Sequence, residues 1–155
     1  MQDADVLARL AELGIELPPP PMPVASYVPV VISGSRAHVA GQVPMIDGRV
    51  IHPGHLGQDV SIEDATIAAR QGALQSLAAL RSALESFDRL RRIVSVTVYI
   101  AAGPDFIEHP KVANGASDLL VEVLGEAGKH ARAAVGVSSL PLGASIEVQL
   151  TAEVD

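Results

Sequence analysis

An α+β sandwich, with two helices laid on one face of a mixed sheet, is the fold this sequence predicts. Three observations carry it. Residues 144–154 alternate apolar and polar without error. Residues 61–86 hold an apolar stripe at helical period. Strand-like and helix-like segments follow one another as β-β-β-α-β-α-β-β behind an N-terminal helix. At 155 residues the chain fits one domain. Residues 1–23 read as a helix and proline-rich extension, and 24–155 as the core.

Residues 3–13 place Val6, Leu7, Leu10 and Leu13 at three- and four-residue steps, an amphipathic helix that Asp3 or Asp5 can cap and Gly14 can end. Pro18 to Pro21 then force extended backbone, so this helix is expected to sit as a peripheral appendage. Residues 24–32 and 36–43 read as two strands around Ser33-Gly34-Ser35. Asp47-Gly48 is a hairpin signal, with Arg49-Val50-Ile51 returning.

Ser61 and Asp64 have capping-box spacing ahead of the 61–86 helix, whose stripe is Ile62, Ala65, Ala69, Ala73, Leu77, Leu80 and Leu84. Residues 92–101 are β-branched, with Val94, Val96, Val98 and Ile100 expected on one face and Ser95, Thr97 and Tyr99 on the other. Pro110 opens a second helix over 110–125, with Ala113, Ala116, Leu119, Leu120 and Val123 inward and Gly125 and Gly128 at its end. Residues 131–138 are strand-like. In the last strand Ile146, Val148, Leu150, Ala152 and Val154 face one way and Glu147, Gln149, Thr151 and Glu153 the other.

Composition removes several classes of function. Eleven Lys+Arg against eighteen Asp+Glu leave a net charge of −7, so a basic grip on nucleic acid is not expected. Cys is absent, which excludes thiol catalysis and disulfides, and the absence of Trp leaves no broad stacking platform. Hydrophobic residues make up 48% and charged ones 19% of the chain, high for a small soluble monomer, which points to surface buried between subunits. The apolar stretch 61–84 is interrupted by Glu63, Asp64, Arg70 and Arg81, so no membrane span is expected. The acidic opening Met-Gln-Asp-Ala-Asp has no signal-peptide core, and a cytoplasmic location is expected.

Phosphate loops, dinucleotide glycine motifs and a Gly-x-Ser-x-Gly elbow are all missing. His52 and His55, with Asp47 and Asp59 nearby, could hold a metal, but a polar surface loop is the simpler reading and no metal is expected. His38 reads as a core or interface residue, and His109 as a helix cap. Arg132 is the conspicuous charge, set in a strand of small residues, where it needs a partner, an anion or solvent. If residues 131–138 pair with 144–154 around Ser139-Leu140, Glu147 falls opposite Arg132. An ion pair on a solvated face and a bidentate grip on a ligand carboxylate are then both open.

The run Ala131-Arg132-x2-Val135-x-Val137-x2-Leu140-Pro141-x-Gly143-x2-Ile146-Glu147-Val148 resembles the RidA family, also called YjgF/YER057c/UK114. Ala40-Gly41-Gln42-Val43-Pro44, Tyr27, Val96-Thr97-Val98-Tyr99-Ile100 and Asn114 match further motifs of that family in order, over about residues 25 to 154. The N-terminal helix resembles a longer branch. The resemblance implies a chorismate-mutase-like homotrimer whose sheets form an inner barrel, with ligand clefts at subunit interfaces. It implies cofactor-free hydrolysis of 2-imino acids to 2-keto acids and ammonia. Arg132 would hold the substrate carboxylate, Glu147 would orient or activate water, Tyr27 and Asn114 would shape the cleft, and Gly41 would let backbone approach the ligand. The sequence departs from the family at Ala134, where many active members carry Cys. The alternative is a non-catalytic trimer that binds small carboxylates.

Overall fold

The strictly alternating segment at the C-terminus becomes the middle of the sheet. In the computed structural model, which describes residues 1–22 and 26–155, the strands are β1 (Val30–Ser33), β2 (Arg36–Gln42), β3 (Met45–Ile46), β4 (Arg49–Val50), β5 (Leu90–Ala101), β6 (Ala131–Val137) and β7 (Ile146–Val154). The main sheet runs in the order β1-β2-β7-β5-β6. Strand β7 is antiparallel to both β2 and β5, while β6 lies parallel to β5 at the edge. The sheet is therefore mixed, as expected. The third strand of the predicted order is the small β3–β4 hairpin, turned by Asp47 and Gly48, both at positive φ.

Helices α2 (Ile62–Leu84) and α3 (His109–Leu124) cover one face. Ser61 Oγ accepts the Asp64 amide at 3.0 Å, the predicted cap. The small residues of the stripe bring the helix in: Ala65, Ala69 and Ala73 are buried, and a Cβ on Gly72 would lie 2.8 Å from Val148 Cγ2. The helix therefore rests close against the central strand. Five apolar side chains of β7 and the inward row of α3 close the core from either side.

Several expectations change. The first strand begins only at Val30, and the Val24 and Ala25 part of the expected strand lies outside the described residues. Register shifts in β5 between Ile93 and Ser95, and Ile93 takes the buried place expected for Val94, which turns half-exposed. Neither Asp3 nor Asp5 caps α1 (Asp3–Glu12). Asp3 instead accepts Arg81 through both carboxylate oxygens, at 2.9 and 2.8 Å, and the Phe87 amide at 2.9 Å. Val6 and Leu10 join the core, and Arg9 Nε donates to the Glu122 carbonyl at 3.0 Å. This helix packs on the core through those two side chains. Gly14, at φ +68°, ends it as expected. Among the described residues no helix is long and apolar enough to cross a membrane.

Candidate functional site

Strand order decides which predicted site residues meet. Strand β6 pairs with β5, and β7 lies on the other side of β5, so Arg132 and Glu147 are not cross-strand partners. Arg132 is aligned with Val96, which is aligned in turn with Leu150. Glu147 is aligned with Tyr99. Paired residues share a face, so Arg132 lies with Val96 on the helix face and Glu147 with Tyr99 on the open face. Two strand spacings and three residues separate them, about 14 Å of sheet. Of the two open readings, the cross-strand ion pair falls away, because local alternation places a residue on a face but says nothing about which strand becomes its neighbour.

Arg132 is exposed at the sheet edge, against the first half of α3. Its Nη1 donates to Asn114 Oδ1 at 2.8 Å and to Ser117 Oγ at 3.1 Å, and its Nη2 reaches the Pro110 carbonyl at 3.5 Å. Five other arginines, at 9, 36, 70, 81 and 91, form ion pairs with carboxylates. Arg132, like Arg92 on the Lys129 carbonyl, has only neutral acceptors among the described residues, and it has three of them. A guanidinium carries five N–H donors, so Nε–H and one Nη2–H stay available for an anion. Sequence reading brought Asn114 and Arg132 to one site through a family resemblance, and the structure joins them directly.

Glu147 has the opposite character. It is half-buried, and its side chain makes neither a hydrogen bond nor an ion pair among the described residues. Burial pushes its carboxyl above the usual value. The side chain folds over Gly41, where the register of β2 against β7 shifts between Val39 and Gln42. A Cβ on Gly41 would collide with Glu147 Oε1 and lie 2.8 Å from its Cδ, so only glycine leaves room for this carboxylate. The structure thus joins Gly41 to Glu147. Tyr27 is exposed ahead of β1, at the far edge of the sheet from β6, about 19 Å of strand spacings away from Arg132. One chain presents the predicted site in three separate pieces.

The remaining histidines have local partners. His55 Nε2 lies 2.8 Å from the Ser138 carbonyl, its amide bonds Asp59, and His52 Nδ1 lies 3.5 Å from Asp64. These contacts knit the loop ahead of α2 to the end of β6. His38 is exposed on the open face beside Thr151, not in the core. His109 is the first residue of α3 and packs edge-on against Phe106 at 5.1 Å without capping the helix. Sequence reading missed Ser117 and His130. Ser117 lies one helical turn beyond Asn114, a spacing that would have placed it beside the same arginine.

Comparison with known proteins follows this geometry. A family model described as "YjgF/chorismate_mutase-like, putative endoribonuclease" matches residues 7–154. Protein TCP17 of Trypanosoma cruzi is 43% identical over 151 residues, spanning 97% of this chain and 94% of its own. The crystal structure of Atu1372 from Agrobacterium tumefaciens, a protein of unknown function, superposes with TM-score 0.92 at 42% identity, covering 99% of this chain and 94% of its own. The YjgF gene product of E. coli, at 24% identity, covers 86% of this chain and 92% of its own with TM-score 0.64, which speaks to the fold alone.

Proposed function

The chain belongs to the YjgF/chorismate-mutase-like family, and we propose that it hydrolyses reactive 2-imino acids to 2-keto acids and ammonia in clefts between the subunits of a homotrimer. The observation that carries this reading is the state of Arg132. Its guanidinium is held by three neutral acceptors of α3 and has no carboxylate partner among the described residues. A strand of small residues offers it nothing else, so a substrate carboxylate is the natural counter-charge.

Glu147 supplies the complementary chemistry. An imine is already electrophilic, so water attacks its carbon once held in place. Glu147 takes a proton from that water as the C–O bond forms. Glu147 returns that proton to the nitrogen, and as the C–N bond breaks the new hydroxyl passes its proton by way of Glu147 to the leaving nitrogen, so that ammonia and the keto acid leave. A carboxyl raised by burial works closer to neutral pH than an ordinary one. Because Arg132 and Glu147 lie on opposite faces of one sheet, we assign the two to different subunits of the same cleft. Supporting this are Val31 and Val135, exposed on the open face, and the unpaired edge of β6.

Position 134 favours one second reading. Ala134, aligned with Val98, lies on the same face as Arg132 and brings no nucleophile. A carboxylate-binding trimer without turnover would use the same arginine. The two separate in one assay. An amino-acid oxidase generates a 2-imino acid in the presence of semicarbazide, and semicarbazone is followed with and without the protein. Suppressed semicarbazone is the expected result. Unchanged semicarbazone alongside retained 2-oxobutanoate binding would support the binding module instead.

A further inference from the structure

We propose that His130, acting through Ser117, is a positioning device that fixes the guanidinium of Arg132 for its ligand; this rests on the reading of Arg132 as the carboxylate anchor. Four groups form one directional chain. His130 Nδ1 lies 2.6 Å from the Gly128 carbonyl, and His130 Nε2 lies 3.0 Å from Ser117 Oγ. Ser117 Oγ in turn accepts Arg132 Nη1 at 3.1 Å.

The proton positions follow from what each group can do. A backbone carbonyl only accepts, so Nδ1 of His130 carries a hydrogen. In the neutral ring Nε2 is then an acceptor, and the Ser117 hydroxyl must point its hydrogen there. That leaves the lone pairs of Ser117 facing Arg132, which only donates. Each bond polarises the next in the same sense. The far end is anchored in backbone. A Cβ on Gly128 would lie 2.6 Å from the Leu120 carbonyl carbon and 2.9 Å from the Val121 amide, so this turn is pressed against α3. Asn114 occupies the other hydrogen of Nη1. With both fixed, the guanidinium plane cannot rotate freely, and the Nε–Nη2 edge is presented in one orientation. Without Ser117 the plane would be held by Asn114 and one long contact to Pro110.

Two ligand-free readouts and one binding readout test this on the full chain. Nitrogen-15 spectra at pH 8 should show His130 in the Nδ1–H tautomer. The two Nη groups of Arg132 should give separate resonances in the wild type and averaged ones in Ser117→Ala. Affinity for 2-oxobutanoate, measured by calorimetry, should fall about threefold to tenfold in Ser117→Ala. Ser117→Thr, which keeps the hydroxyl, should restore slow rotation and stay within about twofold of wild-type affinity. A merely structural serine would leave guanidinium rotation and affinity unmoved in Ser117→Ala and so give no rescue by threonine. An Nε2–H tautomer, or Ser117→Ala with unchanged rotation and affinity, would overturn the proposal. Arg132→Ala binding 2-oxobutanoate as well as wild type would remove the functional reading instead, while tautomer and rotation still decide the relay.

Discussion

Arg132 and Glu147 sit two strands apart and are built in opposite ways. The arginine is exposed, charged and held by three neutral acceptors of a helix. The glutamate is half-buried, without a partner among the described residues and seated over a glycine, with its carboxyl raised by burial. The first arrangement orients a charge while leaving it unsatisfied, which suits binding. The second weakens the penalty for carrying a proton, which suits transferring one. Opposite faces of one sheet keep the two from neutralising each other. Had they paired as cross-strand neighbours, each would have lost the property on which the proposed function draws.

Substitutions at the two ends should therefore fail differently. Glu147→Gln is expected to lower turnover about a hundredfold or more while leaving 2-oxobutanoate affinity nearly unchanged. The same substitution should stabilise the fold at neutral pH. A buried carboxyl with a raised pKa opposes folding once pH exceeds its unfolded value, and an amide does not. Thermal melts at pH 7 and pH 4 should show that gain shrinking on acidification. If affinity and turnover fall together, the division of labour between the two ends is wrong.

Arg132→Ala should do the reverse, weakening 2-oxobutanoate binding about tenfold to a hundredfold with little change in melting temperature. Arg132→Lys should recover little, because an ammonium cannot present two parallel donors. A large loss of stability in either variant would make this arginine scaffold instead.

Gly41→Ala sharpens the Glu147 end. The added Cβ collides with the tip of a flexible side chain, so the carboxylate moves and the strand holds. Stability should change by less than about 1 kcal/mol, while turnover falls roughly tenfold from the misplaced carboxylate. The smallest effect belongs to a region outside the site. Arg81 holds the Asp3 carboxyl below its usual range, with burial opposing. A depressed carboxyl stabilises above its unfolded pKa and loses that contribution as pH falls through the folded one. Asp3→Asn should lower the melting temperature by a few degrees at pH 7 and by less at pH 3, without altering keto-acid affinity.

Much of the scaffold was legible in the chain because it is locally encoded. The alternation of β7, the stripe and Ser61 cap of α2, and the Asp47-Gly48 turn each follow from a few consecutive residues. What depended on distant partners was not. Nothing near Arg132 announces that β6 will lie parallel to β5 and leave β7 to the centre. The shift in β5 that turns Val94 outward has no marker in its own composition. Asp3 reads as a cap until Arg81, 78 residues away, claims its carboxylate. Motif resemblance put Asn114 and Arg132 in one site, while the bond between them and the roles of Ser117 and His130 emerge only in the folded chain.

Subunit complementation tests most directly whether one catalytic cleft draws Arg132 from one chain and Glu147 from another. Arg132→Ala and Glu147→Gln chains, the first weakened in binding and the second in turnover, would be co-assembled from equal amounts and assayed for suppression of semicarbazone at an imine concentration low enough that neither parent alone suppresses it. An interface shared between copies pairs an intact arginine with an intact glutamate at about a quarter of the sites, so roughly a quarter of wild-type activity should return. Mixed assemblies that remain as inactive as either parent would place both residues in the same chain's site, and the division of the cleft between subunits would be wrong.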